Sequence, residues 1–188
     1  MNTIEVLKQY FGYDSFRNGQ ESIINAILEG RDTLAVMPTG AGKSICYQVP
    51  ALMLPGVTLV ISPLISLMQD QVKSLNENGI HAAYINSSLS DSQISRALEA
   101  AAKGTYKIIY VAPERLESSE FIRFASQVQI SMVTVDEAHC ISQWGQDFRP
   151  SYLKIIDFVG GLKKRPILSA FTATATEEVK NDIACILS

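Results

Sequence analysis

The chain has 188 residues, 47% of them hydrophobic and 19% charged, the make-up of one globular domain with a substantial core rather than of a disordered chain. Its net charge of −3 and pI near 5.4 exclude a basic footprint spread over the whole domain. A nucleic acid would therefore have to be held by a local surface, helix N-termini and stacking. No apolar run approaches the roughly 20 residues needed to cross a bilayer, and the start Met-Asn-Thr-Ile-Glu-Val-Leu-Lys lacks the basic and apolar parts of a signal peptide. The expected location is cytoplasmic, nucleoid-associated if the source is bacterial.

Taken in chain order, short β-branched runs alternate with helical segments. Gln20–Leu28 carries Ile23, Ile24, Ile27 and Leu28 on one helical face. Thr33–Met37 reads as a strand, followed by a helix over Ser44–Leu54. Val57–Ser62 is a second strand, with a helix over Ile65–Asn76. Ala82–Ile85 is a weaker third strand, before a helix over Ser92–Lys103 that Ser90 or Asp91 would cap. Lys107–Val111, Met132–Val135 and Ile167–Phe171 complete six strands, and Thr176 would cap a last helix over Glu177–Leu187. The strands lack clean polar alternation, as strands covered on both faces do. Alternating strands and helices imply an α/β fold with a mainly parallel central sheet and right-handed crossovers. Ligands of such sheets bind at the carboxyl edge.

Two segments on that edge carry chemistry. Met37-Pro38-Thr39-Gly40-Ala41-Gly42-Lys43-Ser44 lies between an apolar strand and a helix, where backbone N–H groups can cradle phosphate oxygens. Lys43 would reach the β- and γ-phosphates, and Ser44 would place a hydroxyl on Mg²⁺. The strict phosphate-loop pattern wants glycine where this chain has Met37, and the bland alternative is a turn that binds nothing. Met132–Val135 leads into Asp136-Glu137-Ala138-His139. Nucleotide hydrolysis needs a metal-holding group and a group that orients or deprotonates water. Asp136 suits the first role and Glu137 the second, if a parallel strand places them beside the phosphate loop. His139 would contact Thr172 or Thr174 in the run Ser169–Thr176, an arrangement suited to a hydrogen-bonded switch. The three cysteines (Cys46, Cys140, Cys185) and two histidines (His81, His139) form no disulfide framework or zinc spacing.

Together these residues resemble a family. The phosphate loop with Cys46-Tyr47-Gln48-Val49-Pro50-Ala51-Leu52, then Asp-Glu-Ala-His, then Thr-Ala-Thr, resembles the first RecA-like lobe of superfamily 2 helicases, in which the first glycine of the loop is often absent. The closer resemblance is to RecQ DNA helicases. It rests on Phe11–Gln20 (their adenine-recognition motif), Pro63–Val72 (their motif Ia) and Cys140–Tyr152 (the aromatic-rich loop after their DEAH box). It runs from about Thr3 to the C-terminus, with residues 1–30 as the adenine-recognition part and 31–188 as the core of a three-layer P-loop NTPase domain.

The resemblance implies a role for each matching residue. Tyr13 and Arg17 would sandwich adenine, and Gln20 would read its edge. Pro38, Thr39, Gly40, Ala41, Gly42, Lys43 and Ser44 would bind the ATP phosphates. Ser44 and Asp136 would hold Mg²⁺, with Lys43, Glu137 and His139 catalytic. Trp144, Phe148 and Arg149 would sense single-stranded DNA, as an exposed aromatic beside a basic residue can, and Thr172 and Thr174 would help couple it to hydrolysis. Ser66 would hold a DNA phosphate at a helix N-terminus. Asn86-Ser87-Ser88 and Ala112-Pro113-Glu114-Arg115 are weaker DNA-facing candidates, and Lys163-Lys164-Arg165 reads first as a solvated turn. The implied activity is ATP-driven 3′-to-5′ unwinding of duplex DNA, in repair and recombination.

Such helicases bind ATP between two lobes, and the second lobe supplies arginine fingers worth about 10³–10⁵ in rate. No second lobe, zinc-binding or winged-helix segment is legible within the 188 residues. The chain is therefore expected to be a piece of a longer protein, holding ATP but hydrolysing it very slowly alone. The competing readings are a non-catalytic nucleic-acid-binding module, an RNA helicase lobe, and a kinase or GTPase. No Asn-Lys-x-Asp base-reading motif supports the last.

Overall fold

The computed structural model describes residues 1–188 and contains one six-stranded, fully parallel sheet. Its strands are β1 (Thr33–Val36), β2 (Val57–Ile61), β3 (Ala82–Ile85), β4 (Ile108–Val111), β5 (Ile130–Val135) and β6 (Ile167–Thr172). The spatial order is β1-β6-β5-β2-β4-β3. β2 and β4 are buried at every position, as expected of strands covered on both faces.

The helices are α1 (Thr3–Val6), α2 (Gln20–Leu28), α3 (Lys43–Met53), α4 (Ile65–Glu77), α5 (Asp91–Ala102), α6 (Ser119–Gln127), α7 (Lys154–Gly160) and α8 (Glu177–Leu187). Ile27, Cys46, Tyr47, Met68, Val72 and Leu75 bring α2, α3 and α4 onto one face. Ile94, Leu98, Phe121, Phe124, Ile155, Phe158 and Ile183 bring α5 to α8 onto the other. This is the three-layer α/β arrangement expected from the strand–helix alternation.

All six expected strands are present. Ser90, not Asp91, caps α5, in a reciprocal capping box with Gln93, and Thr176 caps α8 by accepting from the Val179 N–H. Three helices were not expected. α1 opens with a capping box of Asn2 and Glu5 and runs into a π-helical turn at Leu7–Phe11. α6 is capped by Ser118 and buries Phe121, Phe124 and Ala125 at helical spacing, a signal present in the sequence. α7 has only seven residues and no side-chain cap, so it depends on burying Ile155, Phe158 and Val159.

β5, with Asp136 and Glu137 at its tip, does not lie beside β1. β6 lies between them, and Thr172 at its end is in register with Val36. The gap between phosphate loop and acidic pair is thus floored by a third strand end.

Candidate active site

The phosphate loop leaves β1 with Met37 turned inward. Its side chain is buried and its sulfur lies 3.7 Å from the Cys46 thiol on α3. Met37 is not among the residues of positive φ, so the position does not require glycine. Gly40 (φ +83°) and Gly42 (φ +82°) do occupy the left-handed region. Gly42 caps α3 and Lys43 begins it, so free N–H groups and the positive helix end meet at the loop.

The Phe11–Gln20 segment is tied to this loop. The Arg17 guanidinium donates to the Gly40 carbonyl at 2.6 Å, and the Gln20 amide donates to the Gly42 carbonyl at 3.0 Å. The Gln20 side-chain oxygen accepts from the Arg17 N–H at 2.8 Å, and Gln20 is buried. Tyr13 is 52% exposed, which rules out core packing as its role.

A cleft of about 630 Å³ is lined by Tyr13, Arg17, Gln20, Thr39, Gly40, Gly42, Lys43, Ser44, Asp136 and Glu137 among others. Pro38 and Ala41 shape the loop, through an Ala41 N–H bond to the Pro38 carbonyl at 3.1 Å, without lining the cleft. A larger concavity of about 970 Å³ lies at the other end of the strands, around Val57, Ile80, His81 and Lys107, and contains none of these residues.

Asp136 is buried, and its Oδ1 accepts from the Glu137 N–H at 3.0 Å. Burial pushes its carboxyl from 3.8 up to about 6. The Glu137 charge adds to that rise, while its N–H and Lys43 oppose it. A buried carboxylate beside a second carboxylate, facing a hydroxyl across one cleft, is a hard-oxygen donor set that fits Mg²⁺. Tyr152 fixes the strand tip by donating from its hydroxyl to the Asp136 carbonyl at 2.9 Å.

Glu137 is the one non-glycine residue with positive φ (φ 50°, ψ 47°), a conformation that costs about 1–2 kcal/mol. Glu137 lines the cleft, and the strained turn leads on to His139. The His139 Nδ1 lies 2.8 Å from the Thr172 hydroxyl and 3.4 Å from a Glu137 carboxylate oxygen. Thr172 gives its single hydroxyl proton to the Thr174 carbonyl at 3.1 Å. The proton between His139 and Thr172 therefore sits on Nδ1. The expected contact is with Thr172, through its side chain. Thr174 enters through its backbone.

His139 also lines a second cavity, of about 310 Å³, with Trp144, Gly145, Gln146 and Thr174. Trp144 is 68% exposed. Phe148 is half-buried, so it is not the open stacking face that its loop composition suggests. Arg149 pairs with Asp147 at 3.1 Å. Ser66 lies in the exposed first turn of α4, whose N-terminus has no side-chain cap; it lines neither cavity.

Of two weaker candidates, one changes and the other keeps its reading as an exposed turn. Asn86 is wholly buried and its side-chain oxygen accepts from the N–H and hydroxyl of Ser88 at 3.0 and 2.6 Å, so it builds a turn instead of facing a ligand. Arg165 pairs with Asp32 at 2.7 Å, and Asp32 also accepts from the Leu168 N–H at the start of β6, far from the carboxyl edge. Sequence spacing also missed a polar junction of Tyr47, Gln48, Gln71 and Tyr110 at the back wall of the cleft, because its members come from three separate elements.

A phosphate loop at the carboxyl edge of a parallel sheet, facing a strand that ends in Asp-Glu, defines a P-loop nucleotide-binding domain. The DEAD/DEAH box helicase family matches residues 17–182, and the chain belongs to that family. Within it the chain is similar to the ATP-dependent DNA helicase RecQ of Bacillus subtilis (strain 168), at 55% identity over 95% of this chain. It is 50% identical to RecQ of Pasteurella multocida (strain Pm70) over 96% of this chain. It spans 30% and 28% of the lengths of these two relatives. Among solved structures, a hypothetical ATP-dependent RNA helicase from Sulfolobus tokodaii shares the fold at TM-score 0.77 and 22% identity, covering all of this chain and 55% of that one. The DUF1998 helicase MrfA bound to DNA does so at TM-score 0.76 and 18% identity, over 98% of this chain and 28% of that one. No helix is long and apolar enough to cross a membrane.

Proposed function

We propose that this chain is the ATP-binding motor lobe of a RecQ-type DNA helicase, which hydrolyses ATP to move 3′-to-5′ along single-stranded DNA and open a duplex. The observation that carries this reading is one cleft in which the phosphate loop, the adenine-recognition side chains, Asp136 and Glu137 converge.

In this reading Tyr13 and Arg17 flank adenine and Gln20 reads its edge. The Arg17 guanidinium can keep its edge on the Gly40 carbonyl while its planar face stacks on the base, which ties the base to the loop conformation. The loop N–H groups and Lys43 bind the phosphates. Ser44 and Asp136 would hold Mg²⁺, which neutralises phosphate charge when bound. Glu137 orients the attacking water and accepts its proton. His139, with its proton on Nδ1 toward Thr172, links that carboxylate to the cavity where Trp144 stands ready to stack on an unpaired base. Ser66 and the uncapped α4 N-terminus hold a backbone phosphate. A second RecA-like lobe, closing the cleft with an arginine finger, and a role in repair and recombination complete the proposal, with cytoplasmic or nucleoid location.

The test is ATPase activity of the full-length protein with and without single-stranded DNA, and with RNA as comparison. DNA should stimulate the wild type more than RNA does. Glu137→Gln should bind nucleotide but hydrolyse it at least about 10²-fold more slowly. Trp144→Ala should lose DNA stimulation while its stability stays within about 0.5 kcal/mol of wild type. Full hydrolysis by Glu137→Gln would overturn the catalytic assignment, and equal stimulation by RNA would overturn the DNA assignment.

A further inference from the structure

At the back wall of the cleft, buried Tyr47, Gln48 and Tyr110 and half-buried Gln71 join two helices that begin at different functional ends. Gln48 lies one turn into α3, just past Lys43 and Ser44, and Gln71 lies in α4, just past Ser66. The Gln48 amide donates to the Gln71 side-chain oxygen at 2.9 Å and to the Tyr110 hydroxyl at 3.0 Å. Tyr110, on β4, lies 3.3 Å from the Tyr47 hydroxyl and 3.5 Å from the Gln71 oxygen. Tyr47, Gln48 and Tyr110 are at most 4% exposed.

The donors fit this geometry. One Gln48 amide proton serves Gln71 and the other serves Tyr110. The Tyr110 proton then goes to Gln71 or Tyr47, and Tyr47 can donate into Tyr110. Apolar side chains of the same size would pack these helices without any orientational requirement. A linked set of hydrogen bonds admits few relative positions, because a small shift leaves buried groups unpaired at about 1–3 kcal/mol each. Tyr47, Gln48 and Gln71 also border the same cleft as Ser44 and Asp136, so a change in the phosphate loop reaches α4 through this junction.

We propose that Gln48, Tyr110 and Gln71 are positioning residues that make the placement of α4, and so the grip of its Ser66 end on a nucleic-acid backbone, depend on nucleotide in the cleft. This rests on the reading that the Ser66 turn contacts single-stranded DNA. Tyr110, the centre of the junction, lines neither the cleft nor the Ser66 turn, so its effect is on their coupling. That coupling is reciprocal: nucleotide changes DNA affinity by the factor by which DNA changes nucleotide affinity.

The experiment measures binding of a fluorescent single-stranded oligonucleotide to the full-length protein, with and without a non-hydrolysable ATP analogue, and the reverse titration. Wild type should show a coupling factor within about 5–150-fold. Tyr110→Phe should leave analogue affinity without DNA unchanged and bring the factor below about twofold in both titrations. The double variant Gln48→Met with Gln71→Met keeps volume without the hydrogen bonds, and its coupling should also be lost although it folds. If the double variant keeps wild-type coupling, the junction is only packing and the proposal fails. If wild type itself shows no coupling, the functional reading fails instead.

Discussion

Replacing Asp136 by asparagine should stabilise the fold and abolish metal-dependent function. The amide keeps an Oδ1 acceptor for the Glu137 N–H but cannot ionise. In the folded wild type the carboxyl sits at about 6 instead of 3.8, so between those values the folded state binds more protons than the unfolded state. Wild-type stability therefore falls as pH rises from about 4 to about 6 and is flat above that window. A shift of roughly two units corresponds to about 3 kcal/mol, at about 1.4 kcal/mol per unit. Asp136→Asn lacks this slope. It should match wild type near pH ~4 and exceed it by about 3 kcal/mol near pH ~8, a gap of about 6–12 °C in Tm for a chain of this size. The assay is urea or thermal unfolding of both proteins in chelator, where other carboxylates cancel in the difference. Adding Mg²⁺ with nucleotide should then stabilise wild type more than nucleotide in chelator does, whereas the variant should gain the same from nucleotide with or without Mg²⁺. A gap of the same size at both pH values, or none, would refute the argument from burial.

Two further substitutions test the connections around the cleft. A Cβ at Gly42 would lie 2.4 Å from the Gln20 amide nitrogen, whereas one at Gly40 meets nothing within 4 Å, and both positions have positive φ. Gly42→Ala should therefore lose ATP-over-GTP preference while Gly40→Ala keeps it, although both carry about 1–2 kcal/mol of backbone strain. Equal selectivity in nucleotide competition binding would show that Gln20 is not held through Gly42. Thr172→Val removes the acceptor of the His139 Nδ1 proton at a cost of about 1–2 kcal/mol. The DNA-stimulated kcat should fall about tenfold with little change in the KM for ATP, and an unchanged kcat would exclude this bond from coupling.

Much of the site was legible because its chemistry is local. Met37–Ser44 and Asp136–His139 each sit at the end of a β-branched run, so their place at a carboxyl edge follows from strand polarity alone. Gln20 was legible as a candidate through the Phe11–Gln20 segment, but its double hold on Arg17 and Gly42 depends on a segment returning to the loop from elsewhere. α6 was missed although Phe121, Phe124 and Ala125 carry a helical period. α7 was missed because seven residues give too short a period to read.

The sequence by itself determined the parallel α/β class, the phosphate loop and the acidic pair, because hydrophobic period and turn chemistry are properties of neighbouring residues. It also marked Met37 as an anomaly without saying why it is allowed. Only the tertiary structure decided that Met37 points into the core against Cys46. It alone inserted β6 between β1 and β5, turned Asn86 inward and joined α3 to α4 through Gln48, Tyr110 and Gln71. Strand order and buried hydrogen bonds between distant segments are set by how all the apolar faces close together at once, and no local window of sequence contains that condition.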